Sequence, residues 1–134
     1  MSKKSGFTII EILVVLGVVI AMAVAVLPVG SNYFALGRNS SSKTGVATLA
    51  TAISQYKFEI EEYPLNLNSL TVSNGQYGPY ISSAALKDSW NQNYNYSYND
   101  NSFAVWSNGP DKKNNSGGGV PTAFQGDDIG VIGH

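Results

Sequence analysis

From Ile12 to Gly37 the chain runs 26 residues without a formal charge, in a segment rich in Val, Ile, Leu and Ala. About 20 such residues in a helix span a hydrocarbon core, so this segment can cross a membrane. Lys3 and Lys4 stand before it. The positive-inside tendency holds that end in the cytoplasm and sends the remainder outward, as a single-pass chain with an extracytoplasmic C-terminal region. Of the 134 residues, about 95 remain for a folded body, enough for one small core. With no cysteine, neither a disulfide nor a thiolate is available. The formal charge of −1 gives no basic patch of the kind a nucleic-acid binder needs.

Glu11 is the sole charge between Lys4 and Arg38. A carboxylate near a bilayer centre costs on the order of 3 kcal/mol, and less toward the interface, so it needs a reason to be there. A secretory signal peptide offers none, although Ala21-Met22-Ala23 or Ala23-Val24-Ala25 fits a small-residue cleavage site. A buried charge becomes tolerable when paired. Glu11 therefore calls for a cation close by.

Pro28 removes one backbone donor, so the helix is expected to bend or locally melt between Ala25 and Gly30, or else to end there. Farther on, Val46, Leu49, Ala50, Ile53, Tyr56, Lys57 and Ile60 recur at steps of three and four, the pattern of an amphipathic helix facing a core. Pro64 stops it. Leu65 to Leu86 reads as an irregular connector with turn signals at Asn74-Gly75 and Gly78-Pro79. Tyr94, Tyr96 and Tyr98 alternate ahead of Asn99-Asp100-Asn101, and Phe103 to Trp106 follows, which predicts a hairpin with tyrosines on one face. Such a face packs across strands or binds sugars.

The tail is polar and turn-rich, with Asp111 after Gly109-Pro110 and Asp127-Asp128-Ile129 late. A loop with so little to bury needs a tie. A hard cation held by oxygen ligands is one, while a solvated loop with scattered aspartates is the alternative. The spaced acidic run of an EF-hand is missing. Catalysis finds no support: the sole histidine is His134, and no phosphate loop or dinucleotide fingerprint is present. The chain is expected not to be an enzyme.

Gly6-Phe7-Thr8-Ile9-Ile10-Glu11, after a short basic leader and before the apolar run, resembles the processing site of type IV pilins and of the pseudopilins of type II secretion systems. The resemblance implies a prepilin peptidase that cuts between Gly6 and Phe7 and methylates the new terminus. It gives Glu11 and Pro28 roles in assembly, as the pairing carboxylate and the helix kink. Tyr63-Pro64, Asp88-Ser89-Trp90, Gly109-Pro110-Asp111 and Asp127-Asp128-Ile129 are similar to the layout of the major pseudopilin, whose late loop binds calcium. By position the implied ligands are the side chains of Asp111, Asp127 and Asp128 and the carbonyl of Asn108. Ser89 replaces a usual proline, and the loop from Lys112 to Gly126 is longer than usual.

The fold expected is α+β, a long N-terminal helix with a transmembrane and an amphipathic half packed on a small antiparallel sheet. Its regions are a leader (1–6), the transmembrane half (7–30), the amphipathic half (31–62) and a globular region (63–134). The resemblance implies a subunit that polymerises through its N-terminal helices into a secretion pseudopilus. Its partners would be the peptidase, an inner-membrane assembly platform and minor pilins or pseudopilins. It would sit in the inner membrane before assembly and in a periplasmic or cell-surface filament after it. A surface pilus, with DNA contact only in a DNA-uptake role, and a secreted carbohydrate-binding domain are the alternatives.

Overall fold

The structure, a computed structural model, describes residues 6–134, apart from the side chains of residues 24–31. Lys3 and Lys4 lie outside the described residues. Among those described, one α-helix, α1 (Ile9–Ile60), is followed by two 3-10 turns (Leu67–Thr71 and Ser83–Leu86) and three strands, β1 (Asn95–Tyr98), β2 (Phe103–Ser107) and β3 (Ile129–Gly133). The architecture is α+β. The chain divides into two units, Met1–Leu36 and Gly37–His134.

The helix begins where Thr8 caps it. The Thr8 hydroxyl oxygen accepts from the Glu11 N–H at 3.3 Å, and the Thr8 carbonyl accepts from Ile12 N–H at 3.2 Å, satisfying donors that a helix start leaves orphaned. It ends where Glu61 turns left-handed at φ +68°, while the Lys57 ammonium donates to the Glu61 carbonyl at 2.8 Å. Pro64 then bars continuation. Between these ends α1 is continuous, so the expected termination or local melting at Pro28 is not seen. The proline side chain itself lies outside the described residues.

In the second unit, the helix stripe Val46, Leu49, Ala52 and Ile53 buries against Leu67 and Leu70 of the first 3-10 turn and Tyr94, Phe103 and Val105 of the sheet region. Each large side chain buried this way stabilises by about 1.5–3 kcal/mol. The stripe differs from the sequence pattern at its end. Lys57 lies along the edge with its ammonium 4.7 Å from the Tyr63 ring centroid, and Phe58 is 86% exposed.

The strands form an antiparallel sheet in the order β1-β2-β3. Asn99 closes the β1–β2 loop, its side-chain oxygen accepting from Asn101 N–H, Ser102 N–H and the Ser102 hydroxyl at 2.9–3.0 Å. Tyr96 and Tyr98 stack at 5.6 Å, and Tyr98 lies 5.9 Å from the Tyr63 ring. Tyr96 packs against the core and Tyr94 belongs to it, so the hairpin tyrosines serve packing, with Tyr98 at the exposed edge.

β3 has no counterpart in the sequence pattern, because Ile-Gly-Val-Ile-Gly carries two glycines that weaken a strand by themselves. The glycines admit aromatic rings. A Cβ on Gly130 would lie 2.5 Å from Phe124 Cζ and 2.6 Å from Trp106 Cβ, and one on Gly133 would lie 2.5 Å from Phe103 Cζ. The chain before β3 also covers the outer side of β2, where Phe124 and the Asn114 side-chain oxygen meet Trp106 at 6.0 Å between ring centroids and 3.2 Å from its indole N–H. All five β2 residues are therefore buried.

Burial, and then the hydroxyl's bond to the Glu59 carboxylate at 2.6 Å, push the Tyr80 phenol up to about 12 from 10.0. Burial also raises Tyr94 and Tyr96. Because these folded-state values exceed the unfolded one, their contribution to stability is whole below pH 10.0 and is lost as pH rises through the folded values. Urea unfolding of the detergent-solubilised chain is expected to show a midpoint that falls steeply between pH 10.0 and about 12, in step with tyrosine ionisation read by absorbance.

Candidate assembly and metal sites

At the N-terminal end, Gly6 and Phe7 precede the helix and Phe7 is 81% exposed. Among the described residues a Cβ on Gly6 would meet nothing within 4 Å, so their packing does not require glycine there. Glu11 lies in the first turn, beside a shallow groove shared with Phe7, Ile12, Val15 and Leu16. The large apolar side chains from Phe7 to Met22 are exposed, and among the described residues the Glu11 carboxylate has no hydrogen-bond or ionic partner. Among the described residues no helix is long and apolar enough to cross a membrane. The span read from the sequence includes residues 24–31, whose side chains are outside that description.

In the late loop, the structure joins two of the expected ligands directly. Asp111 N–H donates to Asp127 Oδ2 at 3.0 Å, and the Asn115 amide donates to Asp111 Oδ2 at 3.1 Å and Asp127 Oδ1 at 3.0 Å. The Lys113 N–H bond to Asp111, then the Asn115 amide, hold the Asp111 carboxyl below its ordinary range. Asp128 turns to the adjoining backbone. Its Oδ2 accepts from Asn115 N–H, Ser116 N–H and the Ser116 hydroxyl at 3.0, 2.8 and 2.6 Å, leaving Oδ1 buried without a partner. Asn108 spends its side-chain oxygen on the Asn95 amide. Among the described residues no group of three or more carboxylate, histidine or cysteine side chains is placed to hold a metal. The loop thus brings Asp111 and Asp127 together through Asn115 and directs Asp128 elsewhere.

Asp88 organises the entrance to this loop, and its role was not among the sites read from the sequence. It is 8% exposed. Oδ1 accepts from Trp90 N–H at 3.0 Å and Gln92 N–H at 2.8 Å, Oδ2 accepts from the Ser107 hydroxyl at 2.6 Å, and Ser107 Oγ accepts from Gly109 N–H at 3.1 Å. Gly109 must be glycine, since it holds φ +69° and a Cβ would lie 3.0 Å from Asp127 Oδ2. The Asp-x-Trp spacing was the available signal. Ser89 uses its hydroxyl to tie this turn to the helix, donating to the Arg38 carbonyl at 3.0 Å and accepting from the Ser42 hydroxyl at 3.0 Å.

The sequence model of the family described as type II secretion system (T2SS), protein G, matches residues 32–122, more than half of the chain. The chain belongs to the type II secretion protein G family. That is the family of the major pseudopilin, a structural subunit. The family match includes Asn108 and Asp111 and stops short of Asp127 and Asp128, and Gly6, Phe7, Glu11 and Pro28 precede it. Comparison with curated proteins and with solved structures finds no match.

Replacing Asp88 with alanine strips three donors of their acceptor, and each buried donor left unsatisfied costs about 1–3 kcal/mol. Denaturant unfolding is expected to show Asp88→Ala destabilised by about 2–4 kcal/mol. Ser89→Ala, whose lost bonds are partly exposed, should cost less than about 1 kcal/mol.

Proposed function

We propose that the chain is a subunit of the type II secretion pseudopilus, inserted in the inner membrane, trimmed between Gly6 and Phe7, methylated on Phe7, and polymerised through its N-terminal helix. The observation that carries this reading is Glu11, a carboxylate without a partner among the described residues, in a turn of exposed apolar side chains. Cleavage after Gly6 would create an α-amine within about one helical turn of it. An incoming copy that offers its Glu11 to the amine of the copy before it relieves both unpaired charges and fixes the axial stagger of the helices. The open surroundings of Gly6 support a demand for glycine made by an enzyme, not by packing.

The outer face of the helix in the second unit supports the same reading. Ala47, Thr48, Thr51, Ser54, Gln55 and Phe58 are exposed and uncharged. The Thr48, Thr51 and Ser54 hydroxyls each donate to the carbonyl four residues back at 2.9 Å. Hydroxyls satisfied inside their own helix can be covered by a neighbouring copy at low desolvation cost.

Calcium is the proposed tie of the late loop. The Asp111 and Asp127 carboxylates would hold it, and the buried Asp128 Oδ1 is the nearest acceptor in sequence without a donor. Their all-oxygen chemistry suits a hard cation. When bound, the ion supplies positive charge that lets these carboxylates lie close together, the task now done by the Asn115 amide.

The mass of the membrane-extracted chain should correspond to a start at Phe7 with one methyl group, and Glu11→Gln should lower filament yield about tenfold or more while leaving processing intact. A start near Ala23 to Val26, or wild-type filament yield from the glutamine variant, would contradict the reading. Adding calcium should raise the melting temperature of the wild-type chain, with chelation reversing the rise and Asp127→Ala abolishing it. An unchanged melting curve would remove calcium from the account.

A further inference from the structure

The sequence contains two Asn-Gly pairs, Asn74-Gly75 and Asn108-Gly109, and the fold treats them in opposite ways. We infer that Asn74 is a site of spontaneous deamidation, converted through a cyclic imide to aspartate and isoaspartate, while Asn108 is protected. Asparagine is a chemically labile residue. Its loss by this route needs the following backbone nitrogen free to attack and a following residue small enough not to obstruct the ring.

Both conditions hold at the first pair. Asn74 and Gly75 are exposed. They form a tight turn in which Asn74 N–H donates to the Tyr77 carbonyl at 2.8 Å and Tyr77 N–H donates to the Asn74 carbonyl at 3.1 Å. The turn leaves the Gly75 N–H and the Asn74 side-chain amide without a hydrogen-bond partner among the described residues. A Cβ on Gly75 would meet nothing within 4 Å, so the space around the reacting nitrogen is open.

At the second pair the nucleophile is occupied. Gly109 is buried and its N–H donates to Ser107 Oγ at 3.1 Å, inside the network headed by Asp88. The Asn108 side chain is also held, its oxygen accepting from the Asn95 amide. Three of the four Asn-Ser pairs, those ending at Ser69, Ser102 and Ser116, are blocked alike. Ser69 N–H is spent on Asn66 Oδ1, Ser102 N–H on Asn99 Oδ1 and Ser116 N–H on Asp128 Oδ2.

The step balances with water alone. The Gly75 nitrogen loses its proton to solvent base and bonds to Asn74 Cγ. The Cγ–Nδ2 bond breaks, and the amide nitrogen leaves as ammonia after taking a proton from water. Water then opens the imide at either carbonyl, giving aspartate or isoaspartate, and nothing is oxidised or reduced. The product places a carboxylate in a turn that is neutral from Val72 to Tyr77.

The full-length chain, purified in detergent, is held in mildly alkaline buffer and sampled by peptide mass mapping with isoaspartate detection. A parallel sample is held in concentrated urea. In the folded chain, acid and isoaspartate at position 74 should appear about tenfold or more faster than at position 108. In urea the two rates should converge, because both pairs then have free backbone nitrogens. Equal rates in the folded chain, faster reaction at Asn108, no reaction at Asn74, or a difference undiminished by urea would each overturn the inference. Ser107→Ala, which frees the Gly109 N–H, should raise the rate at Asn108 toward that of Asn74. If it unfolds the chain, the urea comparison still decides.

Discussion

A body built by fewer than a hundred residues without a disulfide must close on what one helix stripe and three short strands can bury. Here the closure runs through β2. Phe103 and Val105 join the helix stripe of Leu49 and Ile53, while Trp106 is covered from the other side by Phe124 and Asn114. A strand buried on both faces needs a cover on each. The long polar connector between β2 and β3 supplies the second cover, and its order follows from that duty.

What holds the connector is a chain of acceptors with matched donors. Asp88 is buried and can be so because Trp90, Gln92 and Ser107 all donate to it. Ser107 in turn accepts from Gly109, which fixes where the connector leaves the sheet. Farther along, Asn115 bridges two carboxylates with one amide, and Asp128 nails down the Asn115–Ser116 turn. The ties to the aspartates are charge-assisted hydrogen bonds, stronger than neutral ones. Such ties stand in for the missing cross-link. The tied end of the molecule contrasts with the other, where Glu11 has no described partner and the apolar side chains around it are exposed.

Local signals in the sequence were read well. Pro64 after the helix, the 3.6-residue stripe and the Asn99 turn all act within a few residues of where they are seen. The family was legible in the spacing from Gly6 to Glu11 and in the later Asp-x-Trp and Asp-Asp-Ile motifs, and the family match over residues 32–122 agrees. What was hidden is non-local. β3 reads as a loop because its two glycines are explained only by rings from Phe124, Trp106 and Phe103 that the chain brings to them. The burial of Asp88 and the Glu59–Tyr80 bond join residues 19 and 21 positions apart, beyond any periodicity. Lys57 fell on the apolar stripe by number, yet it is only half-buried, and the buried residue that the pattern left out is Ala52. The four expected metal ligands were chosen by position, and the fold gathers two of them. The Asn115 amide that joins those two gives no signal until the loop is closed.

The central claim is that the polar connector is held as firmly as the sheet it covers. Residue-resolved hydrogen exchange on the intact chain in detergent tests it directly. If the account is right, the amides of Gly109, Asn115 and Ser116 exchange as slowly as those of Ala104 and Val105, through the same global opening. Should those three exchange at the rate of the exposed turn around Gln76 while β2 stays protected, the connector is a loose flap and the account fails.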